Sequence, residues 1–264
     1  MNYKALKILL IGATLTLLGS GAFAFGGCSE GECKDCHSLS IEQAQEAIEP
    51  LGVKSEVTDV RFSQVPGLWE VAVTDKKGGQ IPVYLDFSLS HLIQGDIIEI
   101  ATRQSLTRMR HAELNHINPS VIPLEDAVVL GDPEAKHKVI VFDDTECPFC
   151  KKMQGEMHKV VEKRKDIAFF IKMLPLKIHP NARDKATAII CEKSIELLDK
   201  SLAGEEIPPP TCETDVIEKN AELAAGLGIK STPTVILPDG RIFPGAKSAE
   251  DIISLVDNPF EDGK

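Results

Sequence analysis

The sequence has no long stripe of lysine and arginine, no internal repeat, no low-complexity tract and, beyond its first two dozen residues, no apolar run able to span a membrane. With 29 Lys+Arg against 40 Asp+Glu and a formal charge of −11, it lacks the concentrated positive field that phosphate binding needs, which argues against nucleic acid as the main partner. Aromatics are sparse at 5%, yet 43% hydrophobic content excludes a disordered or collagen-like chain. At roughly 100–200 residues per domain, the 264 residues allow two domains, each able to bury its own core. What the chain does have is seven cysteines, an odd number.

The amino terminus places Lys4 and Lys7 ahead of an apolar run from Ile8 to Leu18 and ends in Ala22-Phe23-Ala24, the layout of a cleavable secretory signal over residues 1–24. The run falls short of the roughly 20 residues that span a bilayer, so export with cleavage near Ala24 is expected rather than a retained anchor. An oxidising compartment then makes thiol redox chemistry something the cell must manage. Seven thiols leave at least one unpaired or otherwise committed.

Hydrophobic period divides the rest. Ser40 followed by Ile41, Ala44, Ala47 and Ile48 reads as a capped amphipathic helix closed by Gly52. From 55 to 100 the period is two, with Trp69, Val71 and Val73, then Ile81, Val83, Leu85 and Phe87, predicting a small antiparallel sheet of about four strands. Leu106, Met109, Leu114 and Ile117 predict a connecting helix over 102–117 that stops at Asn118-Pro119. Beyond 123 the order reads strand (138–142), helix (148–165), strand (167–174), helices at 181–202 and 214–227, a hairpin of 233–237 with 241–243, and a last helix over 248–256.

Cys147-Pro148-Phe149-Cys150 falls where a strand ends and a helix starts. The thiolate is the reactive form, a free thiol has a pKa near ~8.5, and a helix amino terminus stabilises negative charge. Cys147 is therefore expected to be the exposed nucleophile, with Cys150 one turn deeper to resolve a mixed disulfide. Pro148 suits an early helical position. A purely structural disulfide here would close too small a loop to constrain the unfolded chain. Zinc would need a second ligand pair nearby, and Cys33 and Cys36 lie more than a hundred residues away.

Ile122-Pro123-Leu124, Leu130-Gly131-Asp132-Pro133, Val139-Ile140-Val141-Phe142, the Cys147–Cys150 motif with Lys151-Lys152, and Ser231-Thr232-Pro233-Thr234, together with Tyr84, Asp86 and His91-Leu92-Ile93-Gln94-Gly95-Asp96, resemble the DsbC/DsbG family of exported thiol:disulfide interchange proteins. The resemblance covers residues 41–258. It implies an α+β amino-terminal dimerisation domain (cystatin-like, a small antiparallel sheet with a helix) over 41–101, a linker helix over 102–119, and an α/β thioredoxin-like domain with a helical insertion over 120–264, assembled as a V-shaped homodimer. Carried over by position, Cys147 attacks, Cys150 resolves, and Thr232-Pro233 supplies a cis-proline turn whose backbone can pair with an extended substrate. Cys191 and Cys212 match the family's non-catalytic disulfide, expected to tie two helices of the insertion together. The implied partners are misoxidised exported proteins and a DsbD-like membrane reductant, with no cofactor required. Pro-Phe replaces the Gly-Tyr of the family's best-known isomerase, so the motif alone does not separate isomerase, reductase and oxidase.

Residues 25–40 lie outside that resemblance. Cys33-Lys34-Asp35-Cys36-His37 fits an accessory disulfide or redox pair ahead of the attachment motif for c-type haem, with His37 as the iron ligand, and after these a metal or incidental role. Phe25-Gly26-Gly27-Cys28 loosely resembles a lipoprotein processing site, and Cys28 otherwise pairs with Cys33, Cys36 or a second copy of the chain. Two rival functions follow: an electron-transfer protein in which haem communicates with the dithiol, and a chaperone-like binding dimer.

Overall fold

A capping box opens the described part of the chain, which a computed structural model gives as residues 37–52 and 54–260. Ser40 Oγ accepts from Gln43 N at 3.2 Å and Gln43 Oε1 accepts from Ser40 N at 2.9 Å, starting α1 (Ile41–Ile48) with Ala44 and Ile48 buried. A short 3₁₀ turn and Gly52, at φ 65°, end it. Cys28, Cys33 and Cys36 lie outside the described residues.

Four antiparallel strands follow in spatial order: β1 (Val57–Phe62), β2 (Leu68–Thr74), β3 (Gln80–Asp86) and β4 (Leu92–Ile93). The period-two reading holds, but the polar face of β2 does not meet water. Glu70 is buried because Arg61 Nε, at 2.5 Å, and Arg110 Nε, at 3.0 Å, converge on its Oε1. Arg110 comes from α2 (Leu106–Leu114) and also pairs with Asp59 and Glu113, so the connecting helix is fastened over the sheet by charge. That helix is shorter than the periodicity predicts. Ser105 caps it by accepting from Arg108 N at 2.9 Å, while Ile98 bridges back to Ser105 and keeps the preceding residues out of the helix.

The second sheet has the order β5-β7-β6-β8-β9: β5 (Val128–Leu130), β6 (His137–Asp143), β7 (Ile167–Met173), β8 (Thr234–Ile236) and β9 (Ile242–Pro244). Only β6 and β7 are parallel, joined by α3 (Pro148–Lys163); the other pairs are antiparallel. Side chains alternate between two cores. Val139, Val141, Ile167, Phe169 and Ile171 pack with α3 and α7 (Ala249–Asp257), whereas Ile140, Phe142, Ala168 and Phe170 pack with α6 (Val216–Gly226). Burial on both faces explains why these strands read as unbroken apolar runs.

Three expectations change. The predicted helix over 181–202 is two helices, α4 (Ala182–Glu192) and α5 (Ile195–Ala203), broken where Lys193 turns left-handed at φ 45°. Cys191 closes a disulfide with Cys212, but Cys212 lies in the loop before α6, so the bond ties a helix to a loop rather than two helices. Strand β5 leaves no signal in the sequence because three residues are too few to show a period.

Residues from Ser40 onward form one compact unit. Where the connecting segment meets the β8–β9 turn, Ile117 N donates to Gly240 O at 3.0 Å. Gly240 has φ 86°, and a Cβ there would lie 1.7 Å from the Ile117 carbonyl oxygen. Gly240→Ala is therefore expected to destabilise the protein by more than about 2 kcal/mol in urea unfolding. An unchanged midpoint would show that this turn does not hold the linker.

Candidate active site

Two requirements meet at the end of β6: the chain must leave a strand buried from Val139 to Asp143 and enter α3 within four residues. Cys147 is the N-cap of α3, with Pro148 at the first helical position where no N–H is wasted, and Cys150 lies in the first turn. The same period that buries Val139 and Val141 beneath α3 carries Asp143 to that face. Opposite, the turn before β8 contains the cis peptide Thr232-Pro233, and Cys147 Sγ donates to the Thr232 carbonyl oxygen at 3.4 Å.

The structure thus brings Cys147, Cys150, Thr232 and Pro233 together; Cys191 and Cys212 form their separate disulfide. Two free thiols face the cis-proline turn. The expectation of an exposed Cys147 is corrected: its residue is 6% accessible, because the Thr232-Pro233 turn covers the sulfur, and the exposed members of the motif are Pro148 and Phe149, the latter at 64%. The gradient between the sulfurs remains, with Cys150 wholly enclosed. His37, the remaining member of the C-x-x-C-H motif, lies exposed at the start of the described chain, and the haem expectation rests on cysteines outside the described residues.

The electrostatics around Cys150 oppose its ionisation. Burial, then the Asp143 carboxyl, push its thiol far above the ordinary cysteine range, against weaker help from the Asp144 N–H, which donates to Cys150 Sγ at 3.4 Å, and from the Thr232 hydroxyl. Asp143 is itself fully buried, and neither of its oxygens has a hydrogen-bond partner of ordinary geometry. Burial, helped by the neighbouring Asp144 carboxylate, raises its pKa to about 7, despite the bias of the Cys150 thiol toward the charged form. A thiol reluctant to lose its proton thus sits beside a carboxyl that exchanges one near neutral pH, the pairing a resolving thiol needs. The sequence carried a signal for Asp143: a charged residue closing the run 139–142, in phase with Val139 and Val141.

Asp143 also links this site to stability. Its folded pKa lies above the unfolded value near ~3.9, so as pH rises from about 4 to 7 the unfolded chain ionises first and the native state loses stability, by roughly 4 kcal/mol when complete. Asp143→Asn removes this loss. At pH 8 the variant is expected to unfold at higher denaturant than the wild type, while its Cys150-dependent release of a trapped mixed disulfide slows at least tenfold. Equal release rates would remove Asp143 from the chemistry.

Comparison with known proteins agrees with this geometry. The family model described as the disulfide bond isomerase protein N-terminal domain matches residues 37–108, and that for a thioredoxin-like domain matches 124–258. The thiol:disulfide interchange protein DsbC of Dickeya dadantii is 23% identical over 221 residues, covering 81% of this chain and 85% of that protein. Its namesake in Escherichia coli is 23% identical over 217 residues, 81% and 86% of the two chains. A probable DsbC of Bordetella avium is 26% identical over 174 residues, which span 66% of this chain and 59% of that one. The crystal structure of a disulfide interchange protein from Neisseria gonorrhoeae matches 52% of this chain and 96% of its own, at a TM-score of 0.45 and 26% identity. With both family models matched in chain order across the two sheets and the dithiol, the chain belongs to the DsbC family of thiol:disulfide interchange proteins.

Proposed function

We propose that the protein is an exported, dimeric disulfide isomerase and reductase acting on misoxidised exported proteins. The observation that carries this reading is the placement of Cys147 Sγ at the start of α3, against the carbonyl of the cis Thr232-Pro233 turn. As a thiolate, Cys147 attacks one sulfur of a substrate disulfide; an S–S bond forms to the enzyme, the substrate S–S bond breaks, and the other substrate sulfur leaves as a thiolate. The Thr232-Pro233 backbone pairs with the extended substrate strand beside the sulfurs.

The mixed disulfide has two exits. In isomerisation a different substrate thiolate attacks it, forming a new substrate disulfide and returning Cys147 as a thiolate. In reduction Cys150 gives its proton to the Asp143 carboxylate and attacks Cys147, releasing the second substrate thiol and leaving a Cys147–Cys150 disulfide. Two electrons must then come from outside, a role suited to a DsbD-like membrane reductant. Burial of Cys150 disfavours the second exit, so the environment leans toward isomerisation.

Dimerisation through the amino-terminal sheet is supported by the apolar surface at its β4 edge, where Leu92, Ile93, Ile98 and Ile100 are exposed. Export with cleavage near Ala24 is supported by the amino-terminal pattern, in preference to lipid anchoring at Cys28. Among the described residues no helix is long and apolar enough to cross a membrane.

The test is refolding of a scrambled multi-disulfide substrate. Cys147→Ala is expected to abolish activity, and Cys150→Ala to retain part of the isomerisation while losing net reduction. Activity at the wild-type level in Cys147→Ala would reject the assignment.

A further inference from the structure

The loop after β7, residues 174–181, contains nothing that the sequence singles out, yet it is fastened to the catalytic turn. Asp144 is fully buried and accepts three N–H groups: Glu146 N at 2.9 Å on Oδ1, and Leu176 N at 2.7 Å and His179 Nδ1 at 2.8 Å on Oδ2. A carboxylate bonded this way only accepts, so the hydrogen between them sits on Nδ1. The amide of the same residue donates to Cys150 Sγ. Imidazole, carboxylate, backbone amide and resolving sulfur are therefore consecutive links, running from a side chain 20% accessible to a sulfur that is wholly buried. Other ties between these segments, among them Leu174 N to Asp143 O at 2.7 Å, Lys185 Nζ to Glu146 Oε1 at 2.8 Å and Thr145 Oγ1 to Ala182 O at 3.4 Å, do not touch the Asp144 carboxylate.

We propose that His179 is a positioning residue for the dithiol: by holding the Asp144 carboxylate it keeps the Asp144 N–H on Cys150 Sγ and so favours the reduced pair. This rests on the dithiol reading given above. A buried carboxylate stripped of one donor is left partly unsatisfied and turns toward other donors or water, taking its amide with it. An N–H aimed at sulfur stabilises a thiol, and more so a thiolate, over a disulfide sulfur, which is the poorer acceptor. Losing that contact disfavours the dithiol and leaves the disulfide comparatively stable.

The experiment equilibrates the full chain with glutathione, two glutathione thiols reducing the Cys147–Cys150 disulfide to two thiols with release of glutathione disulfide, and reads the ratio of the two forms by alkylation and mass. His179→Ala is expected to shift that ratio toward the disulfide by roughly threefold to tenfold, the loss of one ordinary hydrogen bond. His179→Asn, whose Nδ2 can occupy the place of Nδ1, is expected within twofold of the wild type. Gln, with its amide one carbon further out, is expected to fall with Ala. Should the Ala variant fail to fold, the Asn and Gln variants decide, and equal ratios for those two overturn the proposal. A wild-type ratio in folded His179→Ala overturns it while leaving the dithiol reading intact; a wild type that does not exchange with glutathione overturns both.

Discussion

The site depends on one junction, the passage from β6 into α3 across residues 144–146. A strand buried on both faces delivers its last side chain, Asp143, beneath the helix that follows, and the helix must begin at once to place two sulfurs on its first turn. Asp144 makes so tight a junction possible. Its carboxylate gathers an amide from the turn itself and two donors from the loop after β7, so the backbone polar groups of an abrupt strand-to-helix change find partners without water. With that junction set, the cis Thr232-Pro233 turn can lie across Cys147.

The same junction sets the chemical division between the sulfurs. Cys147 meets a backbone carbonyl at the edge of the protein; Cys150 meets a carboxyl and an amide in its interior. Enclosure raises both the Cys150 thiol and the Asp143 carboxyl; the Asp143 charge makes ionisation of Cys150 less welcome, while the protonated thiol favours the charged carboxyl, so the proton rests on the sulfur. On the function proposed above, a Cys150 thiol that resists ionising resolves a mixed disulfide at Cys147 slowly and leaves it open to a competing substrate thiol. Asp143 charged at neutral pH is also a standing cost to stability, the kind of strain that functional sites retain.

The amino-terminal half uses charge differently. Glu70, in the middle of the sheet, is matched by Arg61 and Arg110, and Arg110 thereby fixes α2 over strands that would otherwise turn a polar face to solvent. The connecting segment meets the second sheet through the packing of Met109, Ala112 and Ile117 and through a backbone bond at Gly240, a position only glycine can fill because its carbonyl neighbour occupies the space of a side chain.

Much of this was legible in the residues themselves. The Ser40 cap, the four short strands, the two-sided apolar runs of β6 and β7, and a Cys-Pro-Phe-Cys motif at a strand-to-helix change are all local patterns, and local patterns survive in one dimension. The break at Lys193, the late start of α2 at Leu106 and the three-residue strand β5 were not, because each is decided by a neighbour distant in sequence or is too short to show a period. For the site, the sequence alone determined that Cys147 and Cys150 share a helix start. Tertiary structure decided that Cys147 lies under the proline turn rather than in the open, that Asp143 has no partner but a thiol, and that His179 reaches Asp144 across 35 residues of chain. Burial and hydrogen-bond completion are properties of what surrounds a group, and those surroundings exist only once strands and helices far apart in the chain have packed.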